Sequence, residues 1–349
     1  MATIQADDLA DITAGTLRNL GRLKLQNIAQ SLQSYELVPR WFKKGKLTID
    51  DGYGIQRNLY NNVSGNARHV GLQDEDTVNI PEIIKQLNIP WRHAEAFWGV
   101  EYRSDILMNR GESKIVDLIK ARRADAMLSL IEEIEDRGWG DAPTAADNIL
   151  PYSIKYWIVK SNTSPAGFNG GLPSDHLTIA GVNLTNSNFK NYAGQYTINS
   201  KGDLVKKMRT MHRKCRFKSP LEVSQPDYRA GRVDQYRVYT NETVISGFED
   251  IGEAQNENIG KDIAAMEGGG MAFRGHPLVW VPKLDEDTTN PVYFLDQATF
   301  YATCLKGNVF RESKKPAAHQ HNMVEYFIDI TYNFCNVDRR RSGVIATDI

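Results

Sequence analysis

Between Glu112 and Arg137 the apolar residues Ile115, Leu118, Ile119, Met127, Leu130, Ile131 and Ile134 recur at steps of three and four. Lys114, Arg122, Arg123, Glu132, Glu135 and Asp136 mostly fill the gaps. This is the period of a helix with one apolar stripe. At about 1.5 Å per residue it runs on the order of 40 Å, the width of a whole domain, and Gly138 is placed to close it in a left-handed turn. A rod of that length acts as a spine. Before it lies a strand-like, loop-rich segment with little apolar material, and after it a richer mixture of helix and strand.

A chain of 349 residues exceeds what one core usually holds, so two unlike lobes are expected. Forty-two basic against forty-three acidic residues leave a net charge of -1, so any contact with nucleic acid has to be local. Cys215, Cys304 and Cys335 are too few and too far apart for a disulfide framework or a paired-cysteine metal knuckle, which fits a reducing compartment. No run of about eighteen apolar residues occurs, and the N-terminus lacks the basic-then-apolar order of a secretion signal. The chain is expected to be soluble and to begin in a cytoplasm.

Asp7 to Tyr35 carries Leu9, Ile12, Leu17, Leu20, Ile28 and Leu32 at helical spacing, interrupted by Gly15 and Gly21. It reads as a weak helix, either packed on its own core or laid as an arm on another subunit. Lys46 to Val63 and Thr77 to His93 read as two limbs of a β-ribbon with a polar tip over Ser64 to Asp76. A two-stranded ribbon is marginal in water, so its faces need cover from a lobe of the same chain or from another copy. Trp91, Phe97, Trp98 and Tyr102 suggest a packed aromatic root for that ribbon.

Beyond the spine, Asp141 to Pro151 reads as a linker and Tyr152 to Lys160 as a strand. Gly167 opens a glycine- and asparagine-rich excursion to about Asn191, without the lysine and helix start of a phosphate loop. Ser200 can cap a helix over about Gly202 to Cys215, with Asp203 at the capping-box position and a stripe of Leu204, Val205, Met208 and Met211. Lys201, Lys206, Lys207, Arg209, Arg213, Lys214, Arg216 and Lys218 surround that stripe. A second helix over about Phe248 to Met266 has the opposite charge, from Glu249, Asp250, Glu253, Glu257, Asp262 and Glu267. Such a pair suggests mutual or subunit-to-subunit pairing at least as much as DNA binding. Strands are expected over Phe273 to Val281, Val292 to Phe294, Phe300 to Leu305 and Met323 to Val337. The last shows strict alternation and ends in Asp338-Arg-Arg-Arg341, a triplet for nucleic acid, for a neighbour's carboxylates, or simply for solvent.

Catalysis finds no convincing home. His319 and His321 share a face of extended chain at acceptable metal-ligand spacing, but a third ligand has to come from afar, for example Asp329 or His276. No nucleophile elbow, HExxH or paired-glycine fingerprint is present. No catalytic, cofactor-binding or metal residue is assigned, and no cofactor is expected.

In order, the helical arm, two-limbed loop, spine, mixed lobe, the stretch Phe273-Arg-Gly-His-Pro-Leu-Val-Trp-Val281 and the final alternating strand resemble a tailed-bacteriophage major capsid protein. Tyr156-Trp-Ile-Val-Lys160, Gly167-Phe-Asn-Gly-Gly171, Val279-Trp-Val-Pro282, Thr289-Asn-Pro-Val-Tyr293 and Asn333-Phe-Cys-Asn-Val-Asp-Arg-Arg-Arg341 also resemble stretches of that group. None has a chemical mechanism of its own. Their order and number carry the resemblance, over about Lys46 to Arg341.

The resemblance implies an α+β, Hong Kong 97-like capsid fold. Residues 1–45 would be an N-terminal arm, 46–110 the extended loop over an adjacent subunit with its root, 111–151 the spine and start of a peripheral domain, 152–315 an axial domain, and 316–349 the return strand and tail. It implies a non-enzymatic shell protein forming the hexamers and pentamers of an icosahedral head around double-stranded DNA, with weak non-specific DNA contact and no membrane. A portal is implied as partner, and a separate scaffold protein or none, because the chain begins nearly at its arm. The implied location is the virion, with assembly in host cytoplasm. An encapsulin-like nanocompartment shell shares the implied fold, and the rival of another class is a metal-dependent enzyme using His319 and His321.

Overall fold

The computed structural model describes residues 34–42, 47–60, 68–71, 84–102, 112–161, 166–185, 187–216, 236–253, 271–316 and 322–347. The arm expected before Tyr35 and the ribbon tip fall mostly outside these residues. In chain order the elements begin with a short helix α1 (Leu37–Trp41), strands β1 (Thr48–Asp50), β2 (Gly54–Tyr60), β3 (Ile84–Pro90) and β4 (Arg92–Glu101), and the spine α2 (Glu112–Trp139). One helical turn α3 (Ile154–Trp157), β5 (Gly167–Gly170), β6 (Asn191–Gln195), α4 (Leu204–Cys215), β7 (Tyr236–Thr240) and α5 (Glu242–Glu253) follow. Strands β8 (Ala272–Phe273), β9 (His276–Trp280), β10 (Val292–Asp296), β11 (Phe300–Leu305), β12 (Arg311–Pro316), β13 (Met323–Asn336) and β14 (Gly343–Ala346) complete the chain.

The alternating strand β13 is the centre of a five-stranded sheet. Residues 323–332 pair with β4, and on the other edge residues 324–329 pair with β12 and residues 332–336 with β11, which carries β1 beyond it. Alternation puts Ala96, Trp98 and Val100 of β4 and Tyr326 and Ile328 of β13 inward. Trp98 stacks on Tyr326 with ring centroids 4.2 Å apart, whereas Phe97 is 74% exposed, so the aromatic root splits by strand parity. The spine lies over this sheet and buries Ile119, Ala126, Leu130 and Ile134.

The spine does not stop at Gly138. It continues to Trp139, and an added Cβ at Gly138 would lie 2.0 Å from Leu37 Cδ1. This glycine therefore serves the close approach of α1 and not a left-handed turn. Gly138→Ala is expected to destabilise by about 2 kcal/mol in a thermal melt, although alanine is the better helix former by ~1 kcal/mol.

The second sheet has seven strands in the order β5-β6-β14-β10-β7-β9-β8. One of its faces joins the main core through Ala193, Tyr239, Tyr293, Leu295 and Val344. The other forms a second core, in which Val238, Val292, Phe294 and Ile345 meet Leu204, Met208, Met211 and Cys215 of α4 and Val244 of α5.

Four further expectations change. Tyr152 to Lys160 is not a strand: Ser153 caps α3, its Oγ accepting from Tyr156 N at 3.3 Å, and Tyr152 stacks on Tyr156 at 3.9 Å. Those rings, four residues apart, meet because the backbone makes a helical turn. The acidic helix starts at Glu242, six residues before the expected Phe248, and its described part ends at Glu253. The first ribbon limb is interrupted, because β1 leaves the ribbon to pair in parallel with β11. The excursion after Gly167 is only partly at the surface, because Ile179, Val182, Leu184, Phe189 and Asn191 are buried while Leu177 is exposed.

Candidate functional site

A cleft of about 700 Å³ sits at the C-terminal end of the spine and is lined by Asp136, Asp141, Lys155, Lys160, Lys283 and Asp287 among others. Its lysines already have partners. Lys155 lies 2.8 Å from Asp141, Lys160 2.6 Å from Asp287, and Lys283 2.8 Å from Asp136. Burial on its own would raise the Asp287 carboxyl, but hydrogen bonds from Lys160 and Thr289 override it and leave the pKa at about 2. Burial lowers the pKa of Lys160 despite the same contact, so the pair stabilises the fold less than the Asp287 shift alone suggests. The Lys283–Asp136 pair ties the spine to the turn that precedes β10 of the seven-stranded sheet.

The other chemical candidates do not converge. Cys215, Cys304 and Cys335 are buried, and burial pushes the Cys304 and Cys335 thiols up to about 12, far from nucleophilic. His319 and His321 lie outside the described residues. Of their suggested third ligands, Asp329 pairs with Arg311 at 3.3 Å, and His276 Nε2 lies 3.1 Å from His212 Nε2 in the other sheet. Among the described residues no group of three or more His, Cys, Asp or Glu could hold a metal ion.

The arginine triplet after β13 is not a solvated strand end. Arg339 is fully buried, donating from Nε to Trp157 O at 2.6 Å, from Nη1 to Phe189 O at 3.0 Å, and from Nη2 to Gly171 O and Asn191 Oδ1 at 3.0 and 2.8 Å. With no carboxylate among these acceptors, burial lowers its pKa to about 9. Arg340 lies over the Phe168 ring, and Arg341 pairs with Asp296 at 3.4 Å. The triplet ties the return strand to the loops around α3, β5 and β6. Sequence reading missed this because a guanidinium satisfied by backbone carbonyls leaves no acidic partner to notice.

The ribbon pairs β2 with β3 from Gly54↔Pro90 to Tyr60↔Ile84. Its root is covered by its own chain: Ile55, Leu59, Leu87 and Ile89 are buried, Arg57 Nε donates to Tyr301 Oη, and Asn88 N donates to Ala180 O. External cover is therefore not needed there. At the far end Ile84 is 60% exposed. The sequence-expected capping box on α4 is shifted: Ser200 Oγ accepts from Asp203 N, and the Asp203 carboxylate accepts from Thr197 N and Ile198 N. The expected stripe Leu204, Val205, Met208 and Met211 is buried, and Lys201, Lys206, Arg209, Arg213, Lys214 and Arg216 are exposed around it. Lys218 lies outside the described residues.

No protein-family model matches the chain. No curated protein matches it in sequence. Solved structures do match over nearly their whole length. The Cyanophage A-1(L) capsid asymmetric unit aligns with TM-score 0.62 and 13% identity, covering 95% of this chain and 99% of that one. The capsid of a native GTA particle aligns with TM-score 0.57 and 12% identity over 94% and 95% of the two chains. The capsid of Myoviridae Phage XM1 aligns with TM-score 0.52 and 13% identity over 95% and 97%. A long spine over a sheet centred on one return strand, a paired ribbon and a second mixed sheet are thus the α+β capsid fold of tailed bacteriophages, and this chain has it.

Proposed function

We propose that this chain is a structural, non-enzymatic protein, the major capsid protein of a tailed phage, whose copies form the hexamers and pentamers of an icosahedral shell around double-stranded DNA. The carrying observation is coverage: the chain and a chain of the cyanophage capsid asymmetric unit align over 95% and 99% of their lengths. The spine and five-stranded sheet are assigned to the peripheral domain and the seven-stranded sheet with α4 and α5 to the axial domain, which moves β11 and β12 out of the expected axial span 152–315 and β14 out of the expected peripheral span 316–349; the far ribbon lies over a neighbouring subunit. Many modest contacts, each far below a permanent dimer interface in strength, are enough to close such a shell. A portal, a scaffold if one is used, and weak contact with packaged DNA complete the set of partners. The virion is the final location, with assembly in host cytoplasm.

The test keeps the buried ribbon root and removes residues 61–83, joining β2 to β3 by a short glycine-serine link. The variant is expected to melt like the parent but to yield no closed particles in negative-stain microscopy, while the parent, with a scaffold if needed, yields shells or capsomer rings. Normal shells from the shortened chain would refute the clasping role. A small discrete oligomer from the parent, with no rings, would refute the shell.

A further inference from the structure

Helices α4 and α5 cover the same face of the seven-stranded sheet, α4 over β6 and β14 and α5 beside the turn Pro282–Glu286, with their buried stripes in one core. Their outward faces carry opposite charge. On α4, Lys206, Arg209, Arg213 and Arg216 recur at steps of three and four and are exposed; on α5, Glu242, Glu249 and Asp250 are exposed. Within α4, Lys207 is paired with Asp203. Among the described residues neither Lys206, Arg209, Arg213 and Lys214 nor Glu242, Glu249 and Asp250 form an ion pair. A groove of about 610 Å³ runs along α5, lined by Asn199, Glu242, Ser246, Gly247, Asp250 and Ile251. Asn199 Nδ2 donates to Thr243 O at one side of this groove.

Segregating like charges on each helix costs a few tenths of a kcal/mol per neighbouring pair in the free chain. That cost is recovered where each face meets its opposite. We propose that the basic face of α4 on one copy seats against the acidic face and groove of α5 on the next copy. Because the two faces differ, the contact is head-to-tail and repeats around a rotation axis until a ring closes. This rests on the shell reading and names the surfaces that join neighbours within a capsomer. DNA is the weaker occupant for the α4 face, because a polyanion laid over this side of the sheet also meets the carboxylates of α5.

The experiment uses three variants of the full chain: K206E/R209E/R213E, E242K/E249K/D250K, and all six together. All positions are exposed, and circular dichroism melts check that each variant folds. Sedimentation velocity is expected to show each single-face variant forming rings about tenfold less than the parent or worse. The six-fold variant, with both faces exchanged, is expected to return to within about threefold of the parent. Parent rings are also expected to loosen as salt rises from ~0.05 to ~0.5 M, because the Debye length shrinks below the spacing of the charges. Indifferent single-face variants, a six-fold variant no better than the single-face ones, or salt-independent rings would each overturn the interface. Single-face variants that keep their rings but carry less nucleic acid would reassign the α4 face to DNA. A parent that forms neither rings nor shells overturns the shell reading along with this one, whereas an assembling parent with indifferent variants overturns this one alone.

Discussion

Arg339→Met is expected to lower the stability of the chain by about 4–5 kcal/mol, seen as a melting temperature lower by roughly 10 °C or as insoluble expression. The methionine can fill the volume but donates nothing. Trp157 O, Phe189 O and Gly171 O would lose a donor where water has no easy entry, and Asn191 Oδ1 would keep only its bond from Val159 N. At roughly 1 kcal/mol or more for each buried acceptor left unsatisfied, the loss approaches the whole margin of an ordinary domain. Asn191 deepens the effect, because its side chain also bridges Val159 N and O and is seated against Gly170, where an added Cβ would lie 2.0 Å from Asn191 Oδ1. Arg339→Lys offers a point charge that reaches fewer of the four acceptors, so an intermediate loss of about 2–3 kcal/mol is expected. The order Arg, Lys, Met in melting temperature checks the clasp; a methionine variant as stable as the parent would refute it.

Glu135→Ala is expected to cost about 3–4 kcal/mol and to detach α1 from the spine. Glu135 is 2% exposed, and its carboxylate accepts from the backbone N–H groups of Glu36, Leu37 and Val38 and from Trp139 Nε1, all within 3.0 Å. It thus caps a helix other than its own. Burial raises the Glu135 pKa, outweighing these four donors, so the carboxylate gives α1 its position more than it gives the fold net electrostatic stability. Alanine removes the acceptor and strands the donors. Glu135→Gln keeps one carbonyl oxygen but turns an amide toward N–H groups, and roughly half the loss is expected. Hydrogen exchange at Leu37 and Val38 separates this from general destabilisation. Faster exchange there, with β11 and β13 protected, supports the cap, and uniform acceleration contradicts it.

The elements legible from sequence share a cause. The spine and β13 each bury one side over many residues, so their periods of 3.6 and 2 survive averaging. The buried stripe of α4 follows the same rule. Where a tertiary partner sets the boundary, reading along the chain fails. Helix α5 begins at Glu242 because Asn241 Oδ1 accepts from Val244 N and Asp285 Oδ1 accepts from Glu242 N, the latter from a residue 43 positions away. α3 looked like a strand because its aromatic and β-branched residues favour one, and the Ser153 cap with the Tyr152–Tyr156 stack overrode that preference. The resemblance to phage capsids was legible in the order of elements, whereas 13% identity shows how little of the fold is written in particular residues.

Taken alone, the amino-acid sequence determined which segments are amphipathic and with what period, because that depends only on spacing along the backbone. The tertiary structure decided what each charge does. Arg339 and Glu135 look like surface residues in a string of letters, and both are buried and fully engaged because distant backbone supplies their partners. Lys206, Arg209 and Arg213 of α4 and Glu242, Glu249 and Asp250 of α5 stay at the surface, where among the described residues none of them forms an ion pair. A solvated ion and a buried clasp have the same composition, and only the dielectric and the donors around them tell the two apart.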